Sequence, residues 1–141
     1  MFAQALARTA QIFGNRPAVI SPTGQATWLE FFGQVQSVAH GLRKLGLKPG
    51  DRVAVLAENS VEHLTIMYAV AWAGCVLVPL NTRLSTHEMT QIAKEAGVAA
   101  LAGDSKNKNA FLSLVGAVDQ TLELIDLEGC LLYTSPSPRD S

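Results

Sequence analysis

The 141-residue sequence is 48% hydrophobic and 16% charged, with a formal net charge of −1, which excludes a disordered chain and a basic nucleic-acid-binding protein. Cys75 and Cys130 stand far apart, without the neighbouring cysteines or histidines that a disulfide framework or a zinc site needs. The first residues contain no continuous apolar stretch typical of secretory signals, so we expect a reduced, cytoplasmic protein.

The N-terminal part of the sequence predicts two short strands followed by an amphipathic helix. The strands, residues 17–20 and 25–27, flank a turn rich in proline and glycine. Thr27 and Glu30 have the spacing of a capping box, which starts a helix. Its apolar residues recur with helical spacing, at Phe31, Val35, Val38, Leu42 and Leu45. We expect Gly46 to end this helix in a left-handed conformation.

The middle of the sequence contains a long apolar segment, Leu64 to Leu80. It is shorter than the roughly 20 residues of a membrane-spanning helix, and it contains Gly74 and Pro79. We therefore predict a buried helix that ends near Gly74, followed by a buried strand at residues 75–78. A capping box of Asn59 and Glu62 is predicted at the start of the helix, directly after a strand at 53–57.

The second half continues the alternation of strands and helices. A capping box of Ser85 and Glu88 opens a helix that Gly97 closes, and further elements follow as a strand at 98–102, a helix at 110–118 and a strand at 122–127. The apolar runs that begin at Val53, Val76 and Val98 are 23 and 22 residues apart, with one helix in each gap. This spacing predicts an α/β fold whose parallel strands are covered by helices.

Residues 1–129 show no recognisable catalytic motif. Glu58 and Glu62 lie four residues apart, but the spacing suits helix capping better than acid–base chemistry. The loop most similar to a phosphate-binding loop, Ser21–Gln25, has no lysine and lies in the predicted hairpin. No metal-ligand spacing links the three histidines, which are His40, His63 and His87.

The final residues, CLLYTSPSPRDS, differ in character from the rest of the chain. Their two Ser-Pro steps are compatible with a disordered tail, a proline-directed phosphorylation site or a short proline-rich ligand. Residues 130–140 also resemble the in-frame translation of adapter DNA used in transposase-based sequencing libraries. We therefore interpret residues 130–141 as a non-native tail, and residues 1–129 as part of a natural protein that continues beyond Gly129.

Several motifs in sequence order resemble the opening of the adenylate-forming enzymes, a superfamily of acyl-CoA synthetases, peptide-synthetase adenylation domains and luciferases. They are Arg16–Ile20, Thr27–Glu30, Gly46–Val55 and Ala73–Asn81. Within the superfamily, the stretch Pro79–Leu84 is similar to the acyl- and aryl-CoA ligase branch. The peptide-synthetase branch usually has aspartate at the position of Asn81 and a Tyr-Pro pair soon after, and this chain has neither.

The resemblance implies a partial, helix-covered N-terminal domain of an AMP-dependent acid–CoA ligase that uses ATP, Mg²⁺ and coenzyme A. Such an enzyme forms an acyl-adenylate from a fatty or aromatic acid and then transfers the acyl group to the CoA thiol. The family's phosphate loop ends in Pro-Lys, a pair that does not occur in this chain. No catalytic residue is carried over, and we expect the chain alone to be inactive. Only Arg83 has an implied role, as a contact to a CoA phosphate; the alternative is a solvated turn arginine.

Two other functions remain open from the sequence. The chain could belong to a peptide-synthetase adenylation domain, or it could be a free-standing α/β module that binds a nucleotide or flavin at the carboxyl ends of its strands. A receiver-like module of the second kind needs acidic residues after its first strand and a lysine after a later one. Glu58 is the only carboxylate just after residues 53–57, and no lysine follows residues 98–102 directly.

Overall fold

The computed structural model describes residues 2–22, 24–118 and 122–128. The elements in chain order are α1 (Phe2–Phe13), β1 (Pro17–Ser21), β2 (Gly24–Thr27), α2 (Trp28–Lys44), β3 (Arg52–Leu56), α3 (Val61–Trp72), β4 (Val76–Pro79), α4 (Thr86–Ala96), β5 (Val98–Gly103), a 3₁₀ turn (Ser105–Asn107), α5 (Lys108–Ala117) and β6 (Glu123–Asp126).

The strands of the described residues form two sheets. β1 and β2 pair as an antiparallel hairpin, and the other four strands form a parallel sheet in the order β4-β3-β5-β6. Helices connect successive parallel strands, which confirms the α/β fold predicted from the spacing of the apolar runs.

Side chains of the parallel strands alternate between two apolar layers. Val53 and Val55 of β3 point into a layer shared with α1, α2 and α3, whereas Ala54 and Leu56 point into a layer shared with α4 and α5. Each of these four side chains is fully buried. Both faces of β3 therefore need a helical cover, as expected for a parallel sheet.

Local signals in the sequence correctly placed several helix ends. Thr27 with Glu30 and Ser85 with Glu88 form complete capping boxes at the starts of α2 and α4. Gly97 closes α4 in the left-handed conformation, with a φ of 64° that a side chain would disfavour. The predicted stripe of α2 is buried except for the half-buried Leu45.

Two local predictions were wrong. The N-cap of α3 is Ser60 rather than Asn59, and its hydroxyl accepts a hydrogen bond from the His63 N–H at 3.0 Å. The predicted capping box of Asn59 and Glu62 is therefore out of position by one residue. The predicted buried strand at 75–78 is instead an edge strand, Val76–Pro79, and Val76 is 47% exposed. Among the described strands β4 pairs only with β3, which explains its partial exposure.

The apolar segment Leu64–Leu80 divides as predicted, because α3 ends at Trp72 and β4 begins at Val76. Gly74 lies between them with a φ of 81°. Within the described ranges, no helix combines the length and the apolar composition needed to cross a bilayer.

The capping box of α4 provides a test of the fold. We expect Ser85→Ala to lower the free energy of unfolding by about 1 kcal/mol, because the Glu88 N–H loses the Ser85 Oγ acceptor at 3.1 Å. Urea denaturation of the 141-residue chain measures the change. The matched control is Ser113→Ala on an exposed position of α5, which should not destabilise the protein. Equal losses in the two variants would contradict the capping role.

Candidate functional site

The loops after the parallel strands meet at one edge of the sheet, which is where α/β proteins bind their ligands. Glu58 follows β3, Asp104 follows β5 and Glu128 follows β6, while Arg83 lies in the loop between β4 and α4. The first three are joined by hydrogen bonds that run between loops. This edge is therefore the candidate site.

Asp104 connects two of these loops. Its carboxylate accepts a hydrogen bond from the Glu58 N–H at 2.9 Å, across 46 residues of sequence. It also accepts from the backbone N–H of Asn107 at 3.1 Å and from the Asn107 side-chain amide at 2.7 Å. The same amide donates to the Glu58 carboxylate at 3.3 Å. Asp104 thus caps the 3₁₀ turn and fixes the loop after β3 with a single carboxylate.

The backbone of Glu58 makes hydrogen-bond contacts through both its N–H and its carbonyl oxygen. Its N–H donates to Asp104, and its carbonyl oxygen lies 3.2 Å from Nδ1 of His63 in the first turn of α3. His63 is thus a structural contact of the loop. His40 and His87 lie exposed on α2 and α4, so the structure does not bring the three histidines together.

Glu128 holds the 3₁₀ turn from the opposite side. Its carboxylate accepts hydrogen bonds from both the N–H and the hydroxyl of Ser105, each at 3.0 Å. These bonds, and first among them the one from the Ser105 backbone, lower the pKa of Glu128 below the ordinary glutamate value. Ser105 and Asp104 are adjacent, so the turn after β5 is tied to the loops after both neighbouring strands.

An open cavity of about 510 Å³ lies beside this turn. Its apolar walls come from α5 and β6, and its polar rim comes from the ends of β5 and β6 and from Lys108 of α5. The lining residues include Phe111, Leu112 and Leu124, together with Asp126 and Glu128. Phe111 packs directly on the backbone of β5 at Gly103, where no side chain intervenes. The cavity can therefore take an apolar group with a polar or positively charged end.

Arg83 lies outside this network. Its backbone N–H donates to the Asn81 side-chain oxygen at 2.9 Å, which forms a tight turn after β4. Its side chain is exposed at the same edge of the sheet as the other strand ends. The Asn81 side chain thus accounts for the turn that positions Arg83. The exposed guanidinium of Arg83 is accessible to a ligand.

The described residues contain no group of three or more His, Cys, Asp or Glu side chains arranged to bind a metal. Of Glu58 and Glu62, Glu58 accepts a hydrogen bond on its carboxylate from the Asn107 side-chain amide. The segment Ser21–Gln25 joins the antiparallel strands β1 and β2, as predicted for a hairpin turn; Thr23 lies outside the described residues.

Sequence reasoning missed Asp104 as the central residue of this edge. The pair Asp104-Ser105 indicated a loop, but the pattern of an aspartate before a short helical turn also predicts an N-cap. The contact from Asp104 to Glu58 depends on β3 and β5 being neighbours in the sheet, and strand order is not readable from one sequence.

Comparisons with known proteins agree on one family. The family model for AMP-binding enzymes matches residues 6–138. The 2-succinylbenzoate–CoA ligase of Oceanobacillus iheyensis is 38% identical over 87 residues, which make up 61% of this chain and 18% of that protein. Feruloyl-CoA synthase from an Amycolatopsis species is 36% identical over 94 residues, 67% of this chain and 19% of that protein.

A solved structure extends the likeness to the fold. The o-succinylbenzoate coenzyme A synthetase of Bacillus subtilis, in complex with ATP and magnesium ion, matches with a TM-score of 0.78 and 27% identity. The match covers 89% of this chain and 33% of that one. The chain thus spans about a fifth of the length of the curated relatives it matches.

The hydrogen bonds of Glu128 predict a pH dependence of stability. Because its pKa is lowered in the folded state, the carboxylate stabilises the protein above the unfolded pKa of about 4.3, and this contribution is lost as the pH falls through the folded value. We expect Glu128→Gln to destabilise the chain more at neutral pH than at about pH 3, because the hydrogen bonds from Ser105 favour the ionised carboxylate. Urea denaturation at both pH values measures this; an equal effect at both would contradict it.

The contact between Gly103 and Phe111 predicts a specific steric effect. A Cβ at position 103 would collide with Cδ2 of Phe111 and lie 3.2 Å from its Cγ. We expect Gly103→Ala to cost about 1–3 kcal/mol of unfolding free energy, and the double variant with Phe111→Leu to recover part of it.

The control for this prediction is Gly33→Ala in α2, where a Cβ meets no atom within 4 Å. It should stabilise the chain by about 0.5–1 kcal/mol, because glycine disfavours a helix. Thermal or urea denaturation distinguishes the two substitutions by sign. A neutral Gly103→Ala would show that the ring of Phe111 moves without cost.

Proposed function

Because the chain belongs to the AMP-binding enzyme family, we propose that its natural protein is an ATP-dependent ligase that joins a carboxylic acid to coenzyme A. The observation that carries the proposal is the family match across residues 6–138, together with curated relatives that are CoA ligases. In the proposed reaction, a carboxylate oxygen attacks the α-phosphorus of ATP and pyrophosphate leaves. The CoA thiol then attacks the acyl carbon, and AMP leaves with the bonding electrons.

The residues described here provide a framework for that reaction rather than its catalytic groups. No proline in the chain is followed by lysine, so the phosphate loop expected from the resemblance is not in this sequence. The described carboxylates at the sheet edge already accept hydrogen bonds from the protein, and they do not fit a Mg²⁺ site. We infer that the groups that bind ATP and Mg²⁺ belong to the rest of the protein.

We further propose that residues 1–129 are a partial N-terminal domain and that residues 130–141 are a non-native, adapter-derived tail. The unbroken resemblance of residues 130–140 to translated adapter DNA supports the second assignment. The family match itself runs to residue 138, so it does not mark a boundary at Gly129. We place the natural protein in the cytoplasm, where ATP and CoA are both available.

Arg83 is proposed as a contact to a CoA phosphate. Its support is the exposed side chain at the carboxyl edge of the sheet and the Asn81 turn that fixes its backbone. A guanidinium is well suited to phosphate because its donors match two phosphate oxygens at once.

The acid–CoA ligase branch is favoured over amino-acid activation by the segment Pro79-Leu80-Asn81, which has asparagine where peptide-synthetase domains usually have aspartate. Membership of the AMP-binding enzyme family also argues against a free-standing flavin or receiver-like module.

The proposed activity is tested with the natural gene extended past the codon for Gly129. We expect the extended protein to release pyrophosphate with a fatty or aromatic acid and to form a CoA thioester, and the 141-residue chain to do neither. Pyrophosphate release and thioester formation are measured separately. Activity on amino acids alone would move the protein to the peptide-synthetase branch, and inactivity on every acid would contradict the proposal.

The role of Arg83 is tested in the same extended protein. We expect Arg83→Ala to raise KM for CoA about tenfold, the effect of losing one charge-assisted contact, while pyrophosphate release stays unchanged. The matched control is Arg52→Ala, an exposed arginine at the opposite end of β3. An unchanged KM for CoA would contradict the phosphate contact and leave Arg83 as a solvated arginine of the turn.

A further inference from the structure

Within the described ranges, one face of β6 lacks the helical cover that the adjoining strand β5 has. Leu101 of β5 and Leu124 of β6 are partners in register, so their side chains lie side by side on the same face of the sheet. Leu101 is 1% exposed in the layer shared with α4 and α5, whereas Leu124 is 50% exposed. The helical cover of this face therefore ends between these two residues.

The opposite face of β6 is covered at Ile125. Ile125, the next residue, is 3% exposed and belongs to the layer that packs against α1, α2 and α3. The exposure of Leu124 is thus specific to one face, and it does not reflect a poorly packed strand. A further element beside α5 would give the two faces of β6 the same burial.

The uncovered area continues onto α5. Leu112 is 55% exposed and lines the same cavity as Leu124 and Phe111. We call the area formed by Leu112, Leu124 and the cavity between them the β6 surface. Leu112 and Leu124 each leave about half of their area exposed to water, and they therefore forgo a substantial part of the stabilisation that full burial would give.

We propose that the β6 surface is the docking site for the polypeptide that follows Gly129 in the natural protein, which packs an apolar segment beside α5. This inference rests on the proposed function only in assuming that the natural protein continues beyond Gly129. The curated relatives are more than three times as long as this chain, because the 87 and 94 matched residues make up only 18% and 19% of them, so ample polypeptide exists to cover the surface. Glu128, the last described residue, itself lines the cavity, so the described part of the chain ends at the rim of the surface.

The charges at the rim indicate the chemistry of the occupant. Three carboxylates, those of Asp104, Asp126 and Glu128, line the cavity beside a single cation, Lys108. An apolar segment that carries a lysine or arginine fits this rim, whereas an acidic segment would be repelled.

The test measures the accessibility of one engineered thiol in two lengths of the protein. The background is Cys75→Ala, with Cys130→Ser in the 141-residue chain and any cysteine beyond Gly129 replaced in the extended protein. In this background Leu112→Cys replaces an exposed residue of the β6 surface, and Ser113→Cys replaces its exposed neighbour on α5. Both thiols should react quickly in the 141-residue chain. In the extended protein we expect Cys labelling at position 112 to slow at least about tenfold, because reagent access then needs local opening, and labelling at position 113 to stay fast.

The outcomes separate this inference from the proposed activity. Slow labelling at position 112 in a protein that lacks ligase activity would support the docking site and reject the function. Fast labelling at 112 in an active extended protein would overturn the docking site alone. Concentration-dependent protection at 112 in the 141-residue chain would also overturn it, because a second copy of the chain would then be the occupant.

Discussion

The parallel pairing of β3 with β4 and β5 is the constraint on which the structure depends. It places β3 between two other strands, with the buried Val53 and Val55 on one face and the buried Ala54 and Leu56 on the other. Burying both faces requires helices on both, which the crossovers between strands provide. The same pairing aligns the carboxyl ends of the strands, so that loops distant in sequence come within hydrogen-bond distance.

At that edge the protein uses its carboxylates as structural acceptors. Asp104 accepts hydrogen bonds from the backbone N–H groups of Glu58 and Asn107, and Glu128 accepts one from the backbone N–H of Ser105. Both carboxylates therefore help to set the shape of the loops at this edge.

Much of the fold was predictable from the sequence, because its signals are local. The capping boxes of Thr27 and Ser85 and the left-handed Gly97 involve contacts within a few residues. The burial of β4 was predicted wrongly, because its edge position depends on strand order. The cap of α3 was misplaced by one residue because Asn59 and Ser60 are both good caps. The contact of Asp104 with Glu58 spans 46 residues and could not be predicted without the sheet order.

The contacts of the Glu58 backbone, through both its N–H and its carbonyl oxygen, have a consequence for recognition. With its N–H bonded to Asp104 and its carbonyl bonded to His63, the loop after β3 has little rotational freedom left in its backbone. A molecule that approaches this edge meets a loop whose shape is already set, and association then loses little conformational entropy there. Selectivity at this loop accordingly comes from the fit of the incoming molecule to a rigid surface.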